Sequence, residues 1–195
     1  MPRRAPQQRR AVATVEAIMD AVVRIAKRAG VDAVTTNRIA EVAGVSVGSV
    51  YQYFPDKRAI FVALHDRHVE QIGRLVEATL VAHADASLEA MLRALLEALI
   101  DAHAPDPELY ALLDAELPHR SAGARNLEVR LRGALQLAIA SHMPAKRRDL
   151  DRTLFVVTHM IDALAHGVVS GRPRGLSIAA AKDEAVRAIL AYLRA

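Results

Sequence analysis

The stretch from Thr35 to Phe54, TTNRIAEVAGVSVGSVYQYF, constrains this chain more than any other. Ile39, Ala40 and Ala43 lie at helical spacing on a short amphipathic segment, and Gly44 follows with the backbone freedom that a sharp corner requires. A second short segment opens on Ser46, whose hydroxyl is suited to accept from the open N–H groups of a first helical turn. This is the pattern of a helix-turn-helix. In it Val45, Val50 and Phe54 turn back toward the first segment, while Ser46, Val47, Gly48, Ser49, Tyr51, Gln52 and Tyr53 face outward. Two tyrosines among small residues gain little from water alone, whereas a DNA major groove offers them a flat, polar partner. The competing reading is a corner packed inside a helical bundle.

Charge favours the first reading. Residues 1 to 60 carry 10 Lys+Arg against 5 Asp+Glu, and residues 61 to 195 carry 16 against 17. The excess of positive charge thus travels with the helix-turn-helix, as phosphate neutralisation requires; a solvated basic face is the plainer alternative. The chain has no cysteine, which excludes disulfides and thiolate chemistry and agrees with a cytoplasmic location. No run approaches the ~18 uncharged apolar residues that span a bilayer, so no membrane partner is expected. The basic PRRAPQQRR leads into no apolar signal region and is expected to be a flexible arm over residues 1–9.

The run IAEVAGVSVGSVYQYFPDK, from Ile39 to Lys57, resembles the DNA-binding region of the TetR family of bacterial transcriptional regulators, and VEAIMDAVVRIAKRAGVDAVTTNR before it is similar to that family's first helix. The likeness covers about the first third of the chain; beyond Leu64 it is one of helical plan and length. It implies a homodimer that sets two recognition helices in successive major grooves of a palindromic operator in double-stranded DNA. It also implies a C-terminal domain that takes a small effector, here read as largely apolar, so that the protein acts as a ligand-responsive repressor. Thr36, expected to cap the second helix, and Lys57 match family positions that touch phosphate, and Arg38 is a further phosphate candidate. One departure stands out. Where the family commonly has a lysine this chain has Val47, and no positive charge occurs from Ser46 to Pro55. Direct contacts then fall to hydroxyls, to Gln52, and to Val47 against a thymine methyl. Gly48 costs about 1 kcal/mol relative to alanine inside a helix, and close approach of the backbone to DNA would account for it.

Taken in order, the chain predicts an all-α fold of about nine helices. A first helix over about Gln8–Ala29 carries Val12, Val15, Ile18, Val22 and Ile25 on one face and ends at Gly30. The helix-turn-helix completes a DNA-binding domain over residues 10–58. Residues 59–195 then form a larger ligand-binding and dimerisation domain. Its first element is a long helix from Asp56 to about His83, which in the resembling family carries the allosteric signal. A helix capped by Ser87 follows, then a break at APDP and a short helix through Tyr110 and Leu113. Another runs through Leu127, Leu131, Leu135 and Ile139 to Pro144. Two last helices, about Lys146–Val169 and Ser177–Leu193, flank the turn GRPRG; in the family such a pair meets its twin in the dimer.

Chemistry beyond this is sparse. His159, Asp162 and His166 share one stripe by helical spacing, and a metal-dependent helical enzyme built on them is the rival reading. No nucleophile, phosphate loop or oxyanion hole accompanies them, so neither cofactor nor metal nor catalytic residue is expected. As polar anchors in an otherwise apolar effector cavity, His159, Asp162 and His166, with His103 and His142 nearby, make better sense. His119 and Arg120 are expected to be solvated loop residues. A regulator without ligand, whose C-terminal domain only dimerises, is the second rival.

Overall fold

The structure, a computed structural model, describes residues 4–103, 129, 132–139, 150–171 and 175–194. Every regular element among them is helical. The elements are α1 (Arg4–Ala29), α2 (Thr36–Ala43), α3 (Val47–Tyr53), α4 (Lys57–Ala82), α5 (Leu88–His103), α6 (Leu150–Gly171) and α7 (Ile178–Arg194). A 3-10 turn at Val31–Ala33 joins α1 to α2, and residues 132–139 are also helical. The expected break at APDP, the helix through Tyr110 and Leu113, the residues His119, Arg120 and His142, and the side chain of His166 lie outside the described residues. The chain divides into two compact units, one whose described part ends at Arg67 and one that begins at His68.

In the first unit, Ile18, Met19, Ala21, Val22 and Ile25 of α1 pack on Val34, Ile39, Ala40, Val50 and Phe54, and Ile60, Phe61 and Leu64 of α4 close the same core. Those three residues carry the compact unit past the expected boundary at residue 58. The helix α1 also begins at Arg4, not near Gln8, so helix runs back through residues expected to be a flexible arm. Its apolar stripe engages the core only from Val15 onward; Val12, expected on that stripe, is 57% exposed. Two polar ties secure the elements around this core. Arg24 Nη2 donates to the Val42 carbonyl oxygen at 3.1 Å, satisfying a C-terminal acceptor of α2. Arg67 donates to Glu16 at 2.7 Å and to Asp20 at 2.8 Å, linking α4 to α1. Partial burial works against the Arg67 charge, but the two carboxylates outweigh it and hold the guanidinium above its ordinary value.

The second unit has its own core. Val76 and Leu80 of α4 pack with Met91, Leu92, Leu95, Leu96, Leu99 and Ile100 of α5, and with the inner stripes of α6 and α7. Ser87 and Ser177 cap α5 and α7, accepting from Ala90 N at 3.2 Å and Ala180 N at 3.1 Å. Ala165 of α6 and Ala181 and Ala185 of α7 are buried in this core, and small side chains of this kind allow close helix packing. An ion pair from Arg93 to Asp183 ties α5 to α7, and its hydrogen bond raises the Arg93 pKa. No helix among the described residues is long and apolar enough to cross a membrane.

Candidate functional site

The local folding of the helix-turn-helix rests on three caps and one left-handed residue. Thr35, with extended backbone (φ −118°), accepts from Arg38 N at 3.3 Å and caps α2. The expectation had Thr36 in this role; Thr36 is instead the first helical residue and half-buried. The reason is the buried Val34, which draws the chain inward and leaves Thr35 at the point where the backbone turns into the helix. At the other end Gly44 adopts φ 69°, its N–H reaching Glu41 O at 3.2 Å while Val45 N reaches Ala40 O at 3.0 Å. That is a Schellman closure, and a side chain at this φ would be strained. Ser46 then accepts from Ser49 N at 3.0 Å and its hydroxyl meets that of Ser49 at 2.8 Å. Asp56 accepts from Ala59 N at 2.8 Å and opens α4, with Lys57 as the first helical residue.

These caps fix which side of α3 is presented. Val50 and Phe54 are buried, and the outward set contains Ser46, Val47, Gly48, Tyr51 and Gln52. Tyr51 is 53% exposed and Val47 36%. Tyr53 departs from expectation: it is half-buried and packs against the core, because it lies one turn beyond Val50 on the same side. Ser49 is likewise only half-exposed, its hydroxyl engaged with Ser46. A Cβ built on Gly48 would meet nothing nearer than Ser46 Oγ at 3.8 Å, an ordinary contact. The fold itself therefore gives no steric reason for glycine at this position.

No cation belongs to this surface, and exposed cations stand on the other helices of the unit. Arg38 is exposed in the first turn of α2, and Lys57 and Arg58 are exposed at the start of α4. The Lys57 ammonium sits 5.4 Å from the centre of the Phe61 ring, a cation–π contact that directs it along its own helix. Arg9 and Arg10 are exposed near the start of α1.

The candidates in the second unit do not form one group. His103 is buried at the end of α5, where Nδ1–H donates to Leu99 O at 2.7 Å and Nε2 stands 3.2 Å from His68 Nε2 of α4. His68 was not anticipated, since no spacing rule links residues on separate helices. His159 and Asp162 are exposed on the outer side of α6, so the expectation that they face inward to an effector is corrected. His159 donates from Nδ1 to Phe155 O at 2.7 Å and its ring lies 4.2 Å from that of Phe155. The buried stripe of α6 is Leu154, Val157, Ile161, Ala165 and Val168, and Phe155, His159 and Asp162 fall on the opposite side. Among the described residues no three metal-ligating side chains stand together.

Comparison with known proteins agrees with this architecture in both units. Residues 18–64 match the family "Bacterial regulatory proteins, tetR family", and residues 87–193 match "Tetracyclin repressor-like, C-terminal domain". The chain is 37% identical over 65 residues to the HTH-type transcriptional repressor KstR of Mycolicibacterium smegmatis, covering 33% of this chain and 32% of that protein. It is 41% identical over 58 residues to the nucleoid occlusion factor SlmA of Haemophilus ducreyi, covering 30% and 25%. The match thus spans about a third or less of these curated relatives. Among solved structures, a TetR-family transcriptional regulator from Streptomyces coelicolor shares the fold at a TM-score of 0.65 and 24% identity, over 93% of this chain and 98% of that one. With family matches across both units and the helix-turn-helix closed as described, the chain belongs to the TetR family of bacterial regulatory proteins.

Proposed function

We propose that this protein is a DNA-binding transcriptional regulator, a repressor that acts as a homodimer on a palindromic operator and is released by a small, largely apolar effector. The observation that carries the reading is the surface of α3. Its buried side is locked by Val50 and Phe54 and its ends by caps, so Val47, Gly48, Tyr51 and Gln52 are held outward on a rigid element. Such a face reads base edges through Gln52 and the Tyr51 hydroxyl, and a thymine methyl through Val47. Arg38, Lys57 and the arginines of α1 supply the phosphate contacts that position it. Ser46 and Ser49 complete the face, and Thr36, at the positive end of α2, suits an anion.

For the second unit, the outer side of α6 supports dimerisation. Phe155 is 63% exposed there, followed at helical spacing by His159, Asp162 and Ala163. A self-complementary face of this kind, on one of the last two helices, would bring two copies together about a two-fold axis. His103, polar and buried beside an apolar core, is the anchor that supports an effector in the same unit. The relatives do not dictate one output: one is named a transcriptional repressor and the other a nucleoid occlusion factor, and each aligns over about a third of this chain or less.

Selection of bound duplexes from a random pool tests this reading. Enrichment of one inverted repeat, with half-sites separated by about one helical turn, 34–36 Å, is expected. A pool that stays random at low ionic strength would overturn it.

A further inference from the structure

We propose that Ser46 and Ser49 act as one unit that reads adenine and rejects guanine in the major groove. This deepens the regulator reading and rests on it, since it takes the face of α3 to lie against base edges.

The supply of hydrogens decides what the two hydroxyls can offer. Ser46 Oγ accepts from Ser49 N at 3.0 Å, and this bond, which caps α3, fixes the Ser46 rotamer. Ser49 Oγ then stands 2.8 Å from Ser46 Oγ. If both hydroxyls turned their hydrogens away at that distance, their lone pairs would face each other, so one hydrogen lies between the oxygens. The couple therefore has one hydrogen left to give, with a lone pair beside it. When Ser49 donates to Ser46, the Ser46 oxygen has both lone pairs engaged, and Ser46 is left as the outward donor with Ser49 as the outward acceptor. If the shared hydrogen reverses, the two roles exchange and the total stays the same. Ser46 is exposed and Ser49 half-exposed, so both oxygens are open to a partner.

Purine edges differ in this respect. Adenine shows an acceptor, N7, beside a donor, N6–H, and the couple matches them with two hydrogen bonds. Guanine shows two acceptors, N7 and O6. The couple serves one of them and sets an oxygen lone pair against the other, and an acceptor left unpaired in an interface is costly. Two serines acting separately would carry two hydrogens and suit guanine as well. The preference thus comes from the contact between the serines and not from either alone. Nor does α3 carry the arginine or lysine that guanine commonly takes.

Duplex selection with the natural chain, Ser49→Ala and Ser49→Thr is the test. The natural chain should enrich adenine over guanine at one position of each half-site by at least about fivefold. In Ser49→Ala the capping N–H remains, and the single Ser46 hydrogen suits N7 of either purine. That position should then accept both purines, with no loss of thermal stability. Ser49→Thr, which keeps the hydroxyl, should keep adenine. On the selected operator, deleting the 6-amino group of this adenine should weaken the natural chain about fivefold and leave Ser49→Ala unaffected. An identical repeat from Ser49→Ala overturns the proposal, as does a loss uniform over all sequences, which would set the pair against the phosphate backbone. A pool that stays random for the natural chain overturns the regulator reading and this inference with it.

Discussion

Two exposed faces of this chain differ in what they lack. The face of α3 has no charge and little aliphatic surface: serine, glycine, tyrosine and glutamine dominate, with Val47 alone as an apolar group. The outer side of α6 sets a large aromatic ring, Phe155, over His159 and small residues such as Ala163 and Gly167. A surface rich in hydroxyl and amide groups on a short, fixed helix is made to exchange hydrogen bonds, and base edges offer them in a directional pattern. A long helix with one exposed ring and small neighbours suits burial against a partner of like shape, which is the dimerisation proposed for it. The contrast teaches that charge is kept out of the α3 face, whose cations stand on neighbouring helices, whereas the outer side of α6 carries Asp162 among its apolar and small residues.

The largest effect should come from breaking the α6 face. Phe155→Glu is expected to leave a folded monomer by sedimentation, and operator affinity should fall more than about a hundredfold, because two linked half-sites become independent. A dimer that persists would move the interface elsewhere. Next comes Gly48→Ala. With only Ser46 Oγ near the new methyl, the substitution should raise stability by about 1 kcal/mol in thermal or urea unfolding. Operator affinity should nevertheless drop about tenfold, the scale of a modest steric clash. A variant that gains stability and keeps its affinity would show that the backbone of α3 does not approach DNA closely. The smallest effect should be Lys57→Ala. Affinity should weaken alike on every sequence, and the slope of log affinity against log salt should shrink by about 0.9, one phosphate contact.

Much of this was legible in the chain, and the exceptions have physical causes. The caps at Ser46 and Ser87 were readable because each precedes an apolar stripe at helical spacing. Thr35 and Thr36 are chemically equivalent as caps, so local sequence could not choose between them; burial of Val34 decided it. Tyr53 was misplaced because tyrosine suits both water and core, and in a helix as short as α3 the side facing inward is set by a single residue, Val50. For His159 and Asp162 the signal was present but went unused. The apolar positions 154, 157, 161 and 168 already define the inner side of α6, and residues 155, 159 and 162 lie away from it. The pairing of His68 with His103 was beyond sequence reasoning, since it depends on how α4 and α5 lie within their unit.

The division between reading and holding is the core of the account, and repeating the duplex selection with two variants tests it most directly. Gln52→Ala should enrich a different half-site, altered at the base pairs it faces, whereas Lys57→Ala should enrich the natural repeat at lower affinity. If both variants return the same repeat, or if Lys57→Ala is the one that changes it, α3 is not the element that reads sequence.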